Sequence, residues 1–311
     1  RLTLETSGTA SNDIGWAEQA VTTTSTNVEH VIKFRVIGAP GDRIEFQVGT
    51  ASVGAQTLAA AIKEVGYHCV AFTPTTSPFY VQFRNLGSYR DKDVQIDDVS
   101  LIDNAGVSID TPWPEAELFD VEGPQSADIL YLFHDSYPTH KLQRRGHTTW
   151  ELVEVPWEDG PYLDENTTTT TLLPSAATGL GITLTLSAVT GVNDNRGWLS
   201  TDIGRLVRYK ETTEWGYAVI VSITSTTVAV ADVRKDFEAT PTAVTTWRLG
   251  AWSGTTNYPE QGAFFEQRLY AASTVTEPQG FWATQTSDFE NFKPDNNQGT
   301  IEADDAMDFT L

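Results

Sequence analysis

The segment that decides the fold spans residues 127–152 and reads ADILYLFHDSYPTHKLQRRGHTTWEL. Its apolar and aromatic residues fall into three short runs, separated by turn-forming residues at 136–138 and at 145–146. The pattern predicts a strand, a tight turn, a second strand, another turn and a third strand. Consecutive strands joined by such short turns pair antiparallel, and we therefore expect an all-β protein.

The rest of the chain follows the same pattern. Residues 43–48 read RIEFQV and place Ile44, Phe46 and Val48 on one face of a strand. Residues 79–83 alternate in the same way, and residues 28–36 and 94–101 are further strand-like runs rich in Val and Ile. The only convincing helix is predicted at 56–64, with Leu58, Ala59 and Ile62 as its apolar side.

Composition excludes several classes of function. The 311 residues include 20 Lys and Arg against 42 Asp and Glu, which gives a net charge of −22. So few cations argue against a protein that clamps a phosphate backbone. No run approaches the about 18 apolar residues of a membrane helix. A single cysteine, Cys69, excludes an internal disulfide framework and a cysteine-based zinc site, and its apolar surroundings predict simple core packing.

Charge also divides the chain. Residues 167–250 carry seven basic and seven acidic residues, whereas residues 112–166 have a net charge of −9 and residues 251–311 one of −8. We therefore expect a small inserted β-barrel or sandwich at 167–250 that interrupts one domain made of residues 112–166 and 251–311, after a β-sandwich at 1–111. The resemblances described below imply that the sandwich at 1–111 is a jelly roll and that residues 112–166 and 251–311 form the first and second parts of a set of propeller-like strands. Because the chain starts at Arg1 and stops within a strand-like run, we expect it to be a piece of a longer polypeptide.

The end of the first block, VQIDDVSL at 94–101, resembles the last strand of jelly-roll carbohydrate-binding modules. In those modules an aspartate at this place helps to hold a structural calcium ion. The resemblance therefore implies a candidate calcium site from Asp97, Asp98 and Glu5, since calcium prefers carboxylate and carbonyl oxygens. The alternative is that these are surface carboxylates at a strand end. No other cofactor is expected.

Sugar binding would need exposed aromatic side chains that form an apolar platform. The candidates in the first block are Trp16, Tyr80 and Tyr89, with Tyr67 and Phe79 also available. The alternative for these residues is the core of the sandwich.

Other constellations have simpler explanations. His134, His140 and His147 lie close together, but their spacing suits a hairpin better than a zinc site. The run Asn193-Asp-Asn195 lacks the terminal glutamate of a calcium loop and predicts an Asx-rich turn. The carboxylates of residues 159–166 could supply half of a glycosidase pair, which sequence alone cannot identify. Without a nucleophile elbow, phosphate-binding loop or dinucleotide fingerprint, we expect no enzymatic activity.

Several motifs together resemble one family of virion proteins. The segment 127–152 carries the pattern ILY, H, YP, KL, R, GH and W in order, and GPYLDEN follows at 160–166. Downstream, GAFFEQRLYAA at 262–272, FWATQTSDFENF at 281–292 and IEADDAMDF at 301–309 resemble successive propeller strands of that family. The family is tail tubular protein B, the nozzle protein of short-tailed phages and related prophages.

The resemblance implies a structural role in the virion tail, with assembly in the cytoplasm of the host bacterium. It implies a homo-oligomeric ring, expected to be a hexamer, that contacts tail adaptor and fibre proteins and passes DNA non-specifically during ejection. It also implies β-propeller blades with core residues Trp150, Phe265, Leu269 and Trp282. Two alternatives stay open: a tail module that binds host-surface glycan, and a polysaccharide-degrading enzyme built on a propeller.

Overall fold

The computed structural model describes residues 2–4, 15–52, 57–85, 94–103, 107–238 and 241–310. The protein is all-β, with 48% of residues in strands and 3% in helices, which confirms the predicted fold class. The chain divides into two compact units. The first comprises residues 1–116, 125–130 and 140–154, and the second comprises residues 117–124, 131–139 and 155–311.

The strands are numbered in chain order, and the strands paired in the described part of the chain run antiparallel to each other. Short 3-10 helices cover Glu115–Asp120 and Ser200–Asp202. The strands are β1 (Leu2–Leu4), β2 (Trp16–Val21), β3 (His30–Ile37), β4 (Arg43–Gly49), β5 (Leu58–Glu64), β6 (Gly66–Phe72), β7 (Phe79–Arg84), β8 (Val94–Asp103), β9 (Gln125–Ser126), β10 (Ile129–His134), β11 (Tyr137–Arg144), β12 (Trp150–Glu154), β13 (Leu172–Pro174), β14 (Ile182–Leu186), β15 (Leu206–Lys210), β16 (Trp215–Ser225), β17 (Val228–Lys235), β18 (Trp247–Leu249), β19 (Gln261–Phe265), β20 (Arg268–Ala272), β21 (Gly280–Ala283) and β22 (Met307–Thr310).

The strands up to β12 form a β-sandwich, most of which makes up the first unit, while residues 131–134 of β10 and 137–139 of β11 are assigned to the second unit. One sheet has the strand order β1-β8-β3-β6-β12-β11-β10-β9, and the other has the order β2-β7-β4-β5. Alternate residues of both sheets point into one shared apolar core. Phe34 of the first sheet packs against Phe46 and Phe83 of the second, with ring centroids 4.8 and 5.1 Å apart.

The helix expected at 56–64 is wrong. Residues 58–64 form β5, which pairs with β4 from Arg43 opposite Glu64 to Val48 opposite Leu58. The segment is rich in Leu, Ala, Lys and Glu, which favour helices in isolation. Pairing with the neighbouring strand overrides that local preference, because propensity is a weak bias compared with tertiary context.

The segment 127–152 forms the three expected strands, β10, β11 and β12. The first turn lies at residues 135–136, slightly earlier than expected, because Tyr137 and Pro138 already belong to β11. Their setting differs from the expectation of a separate blade that begins after residue 111. Strand β12 pairs on its other side with β6, where Trp150 lies opposite Cys69 and Leu152 opposite Tyr67. These strands therefore extend a sheet of the sandwich.

A six-stranded sheet occupies residues 172–249 of the second unit, within the span expected for the inserted module. Its order is β13-β14-β17-β16-β15-β18, and it encloses a core that contains Trp198 and Trp247. Leu172 of β13 exchanges two backbone hydrogen bonds, of 2.9 and 3.2 Å, with Val244, which lies just before β18. The first strand of the sheet therefore curls round to meet the chain that leads into the last, as in a small barrel.

A four-stranded meander, β19-β20-β21-β22, completes the second unit, with neighbours in chain order. Leu269 and Trp282 lie on its inner face and are 0% and 1% exposed. The expectation that Phe265 belongs to the core is wrong, since its side chain is 62% exposed. The inner-face residue of β19 is its neighbour Phe264, which lies directly opposite Leu269. In the first unit, Trp150 is half-buried and donates from Nε1 to the carbonyl of His147 at 3.2 Å.

Candidate functional site

The outer face of the sheet β2-β7-β4-β5 brings together two of the aromatic residues that the sequence singled out. Trp16 lies opposite Arg84, and Tyr80 lies opposite Ala20, so both aromatic side chains point away from the sandwich core. Trp16 is 44% exposed and Tyr80 is half-buried. Four residues separate their positions along β2, which corresponds to about 13 Å along the strand direction at roughly 3.3 Å per residue.

Polar side chains occupy the row between the two aromatic residues. Glu18 lies opposite Gln82, and Gln82 lies opposite Gln47, so one residue from each of three strands forms this row. The Gln47 amide donates to the Gln82 carbonyl oxygen, and Gln82 donates to the carbonyl of Ala51 at 3.5 Å. Both amides are buried and bonded to each other, so their positions are fixed beneath the surface of the sheet.

An ion pair borders the row on the Trp16 side. Arg84 donates to Glu45 at 2.8 Å, and both side chains remain partly accessible. Trp16, Arg84, Glu45 and Ile62 are successive cross-strand neighbours in this order across the sheet. The accessible part of the face therefore combines aromatic side chains with a guanidinium group and a carboxylate, above two buried amides.

This combination suits a ligand with apolar patches and many hydroxyl groups. Aromatic rings cover the apolar face of such a ligand, while the partly accessible Arg84 and Glu45 can exchange hydrogen bonds with its hydroxyls.

The other candidates of the first block are Tyr89, Glu5, Asp97 and Asp98. Tyr89 and Glu5 lie outside the described residues. Asp97 and Asp98 sit on β8 in the other sheet, at a bulge where the register with β3 shifts between Lys33 and Arg35. Asp98 has a φ of 52°, and its backbone N–H donates to Asp97 Oδ1 at 3.1 Å. The bulge breaks the regular alternation that adjacent residues of a strand have, since an extra residue changes the directions of the two carboxylates.

The three histidines and the cysteine lie in different environments and do not form a common site. His134 accepts a hydrogen bond from the Ser136 backbone at 3.1 Å, and His140 packs edge-on against Trp113 at 5.4 Å. His147 is exposed. Cys69 is fully buried and free, and burial raises the pKa of its thiol, which lowers its reactivity.

Residues 193–195 form a closed turn, each with a left-handed φ between 48° and 66°. Asn193 donates to the carbonyl of Gly197 at 2.9 Å and to Asp202, and Asn195 accepts from the Gly191 backbone at 2.9 Å. These side-chain oxygens and amides are therefore occupied in Asx-type bonds, in agreement with the turn predicted from the sequence.

Asp159, one of the carboxylates of the 159–166 segment, belongs to a buried ionic cluster. It accepts a hydrogen bond from the Tyr162 hydroxyl at 2.9 Å and lies 3.4 Å from Arg208 Nε. Arg208 also forms a bidentate ion pair with Asp295, in which Nη1 and Nη2 each donate to a carboxylate oxygen at 2.8 Å. Burial raises the pKa of Asp159, although Arg208 and Tyr162 partly oppose this. The groups of this cluster bond to one another, so the cluster stabilises the fold. Asp164 and Glu165, the other two carboxylates of the segment, are exposed.

Sequence reasoning missed Gln47, Gln82, Glu45, Arg84 and Glu18. A signal for two of them was present, since Gln82 and Arg84 have the same alternation as Tyr80 in the run 79–84. The others could not be found in this way, because their proximity depends on the register between strands that are distant in sequence.

Within the described ranges, no group of three or more His, Cys, Asp or Glu side chains is arranged to hold a metal ion. No helix in the same part of the chain is long and apolar enough to cross a membrane. No protein-family model matches the sequence, and a search of curated proteins finds no match.

Proposed function

We propose that the chain is a structural component of a phage or prophage tail, a nozzle-type protein that forms part of the DNA ejection channel. The observation that supports this most is the meander β19-β22. The three downstream motifs of the family resemblance, at 262–272, 281–292 and 301–309, each overlap one or two of its four consecutive antiparallel strands. A four-stranded meander is the repeating unit of a β-propeller.

The charge of the chain is compatible with this role. A net charge of −22 repels phosphate groups, so DNA would pass along the protein without being held. The proposal includes assembly into a homo-oligomeric ring next to adaptor and fibre proteins in the virion, and it requires no catalytic step.

Immunogold labelling of phage particles tests the proposal. Particles are induced from the bacterial strain that carries the gene and labelled with a serum raised against this chain. We expect gold at the short tail, and none after the serum has been absorbed with the purified chain. Unlabelled, intact particles from a lysate that is positive by immunoblot would contradict a virion role.

A second candidate function is binding of a host-surface glycan by the first unit. The observation in its favour is that Trp16 and Tyr80 share one sheet face with the Glu18, Gln82 and Gln47 row. This function is compatible with the first, because a tail protein can carry a receptor-binding domain.

We expect Trp16→Ala and Tyr80→Ala to weaken retention on host envelope polysaccharide by about tenfold to thirtyfold each, since an aromatic anchor at a binding site is worth roughly 1.4–2 kcal/mol. The matched control is Phe119→Ala, which removes a 96% exposed aromatic side chain elsewhere. Affinity electrophoresis in polysaccharide gels measures the retention. Equal retention of all three variants would exclude this face, and release of reducing ends from the polysaccharide would point instead to an enzyme.

A further inference from the structure

Two neighbouring apolar side chains project from residues 117–122, which belong to the second unit. Phe119 is 96% exposed, and Leu118, which precedes it, is 46% exposed. We call these two side chains the apolar tip. Among the large hydrophobic side chains of the described residues, none is more exposed than Phe119. Almost the whole surface of its ring is therefore available to a partner.

Contacts with ordered strands hold the segment on both sides of the apolar tip. Before the tip, Glu117 Oε2 lies 3.8 Å from His134 Nε2, and a hydrogen bond to Glu117 raises the pKa of Tyr137. After the tip, the backbone of Glu122 exchanges two hydrogen bonds, of 3.1 and 2.7 Å, with Phe133. All these partners lie on β10 or β11. The segment is thus already ordered and loses little conformational entropy when a partner binds.

The local helix explains why the apolar tip points outward. Residues 117–120 are part of the 3-10 helix Glu115–Asp120, in which three residues complete one turn. Consecutive side chains are therefore about 120° apart around the helix axis. Because Glu117 is directed toward His134 and Tyr137, the next two side chains point away from these strands.

Carboxylates accompany the apolar tip. Residues 117–124 read ELFDVEGP and contain three acidic residues and no basic residue. Asp120 follows Phe119 directly, and both Asp120 and Glu122 are exposed. A partner that encloses the ring brings its own surface close to these two carboxylates. Lysine or arginine in that surface gains from the carboxylates, whereas acidic groups there are repelled.

The charge also makes other occupants less favourable. A second copy of the chain would bring a net charge of −22 to the contact, and a nucleic acid would bring phosphates. The surface of an anionic lipid membrane is negative as well. A protein that surrounds an apolar pocket with cations matches both the ring and its acidic neighbours.

We propose that the apolar tip inserts into an apolar pocket of a partner protein, with lysine or arginine side chains at the rim of the pocket paired to Asp120 and Glu122. Phe119 is the anchor of this contact, since one aromatic side chain seated in a pocket often supplies a large share of the affinity of an interface. The inference rests on residues of the second unit alone and does not depend on the role in a phage tail.

Photocrosslinking in the bacterial strain that carries the gene tests the proposal. The full chain is produced with Phe119→p-benzoylphenylalanine, which places a photoreactive ring at the apolar tip. The matched control is Phe265→p-benzoylphenylalanine, at a position that is 62% exposed on β19. We expect irradiation to give a discrete adduct from position 119 that position 265 does not give. Tandem mass spectrometry should locate the crosslink on another protein, at an apolar site bordered by lysine or arginine.

Reversal of charge tests the cationic rim. Asp120→Lys/Glu122→Lys, introduced into the photoreactive chain, changes two exposed side chains, and we expect the yield of the adduct to fall at least tenfold. The control Glu165→Lys/Glu214→Lys makes the same change in net charge at two other exposed positions of the second unit and should leave the yield unchanged. Thermal melting of each variant establishes that it is folded.

Several results would overturn the proposal. If position 119 gives no adduct beyond that of the control, the apolar tip has no partner in the cell. If the crosslinked peptide belongs to this chain, the occupant is a second copy, and if the adduct is a lipid, the occupant is a membrane. If Asp120→Lys/Glu122→Lys leaves the yield unchanged, the rim of the pocket is not cationic.

Discussion

Arg208→Ala is expected to lower the free energy of unfolding of the second unit by about 3–5 kcal/mol. The side chain is 1% exposed and holds Asp295 through two hydrogen bonds of 2.8 Å, while its Nε lies 3.4 Å from Asp159. Its guanidinium also lies over the ring of Trp215 at 4.9 Å. Removing it leaves two buried carboxylates without their common cation. Urea denaturation followed by tryptophan fluorescence measures the loss.

The two carboxylates provide matched controls. Asp295→Asn breaks the two-pronged pair and should cost about 1.5–3 kcal/mol, the range for hydrogen bonds to charged groups. Asp159→Asn should cost less than about 1 kcal/mol. Asparagine still accepts the bond from Tyr162 and tolerates the left-handed φ of 41° at this position. Equal losses for both substitutions would contradict this division of roles.

The pKa shifts of these carboxylates predict how the Arg208 effect changes with pH. Desolvation opposes ionisation of Asp295, but the hydrogen bonds and charge of Arg208 outweigh it, and the pKa is lowered. This contribution to stability is present above the unfolded-state pKa of an aspartate and is lost as pH falls through the lowered value. Desolvation raises the pKa of Asp159, whose contribution is lost as pH rises. The cost of Arg208→Ala should therefore decrease in acid.

The fold class could be predicted from the sequence because alternation is a local property. The run Arg43 to Val48 and the three strands of 127–152 need only their own residues to be recognised. The pairing of β12 with β6 could not be predicted, since it joins residues some eighty positions apart and depends on which edge of the sheet is open. The local sequence of β5 predicts a helix for the same reason. Its pairing with β4, which decides its conformation, is not visible in the segment itself.

The candidate binding face was predictable to a similar extent. Aromatic content and strand alternation were enough to select Trp16 and Tyr80. The hydrogen bond between the buried amides of Gln47 and Gln82 depends on the cross-strand register of β7 with β4, which no local pattern encodes. At β8 the sequence was misleading, since two adjacent aspartates gave no sign of the bulge that redirects them.

Trp282→Ala is expected to lower the free energy of unfolding of the second unit by about 3–5 kcal/mol, the usual cost of deleting a buried large aromatic side chain. The ring is 1% exposed and packs edge-on against Trp252 at 5.5 Å. Trp252 in turn contacts Phe292 at 5.1 Å and Trp157 at 5.4 Å. The cavity would open within this aromatic cluster, where the surrounding large rings have little freedom to fill it. Chemical denaturation of the purified variant measures the change.

Phe265→Ala and Phe264→Ala test which residues of β19 face the core. The two residues are adjacent on the strand, so their side chains point to opposite faces of the sheet. Phe265 is exposed, so its removal should change stability by less than about 1 kcal/mol. Phe264 lies on the Trp282 face and contacts Phe289 at 4.8 Å, so its removal should cost more. A large loss for Phe265→Ala with little change for Phe264→Ala would mean that β19 is shifted by one residue.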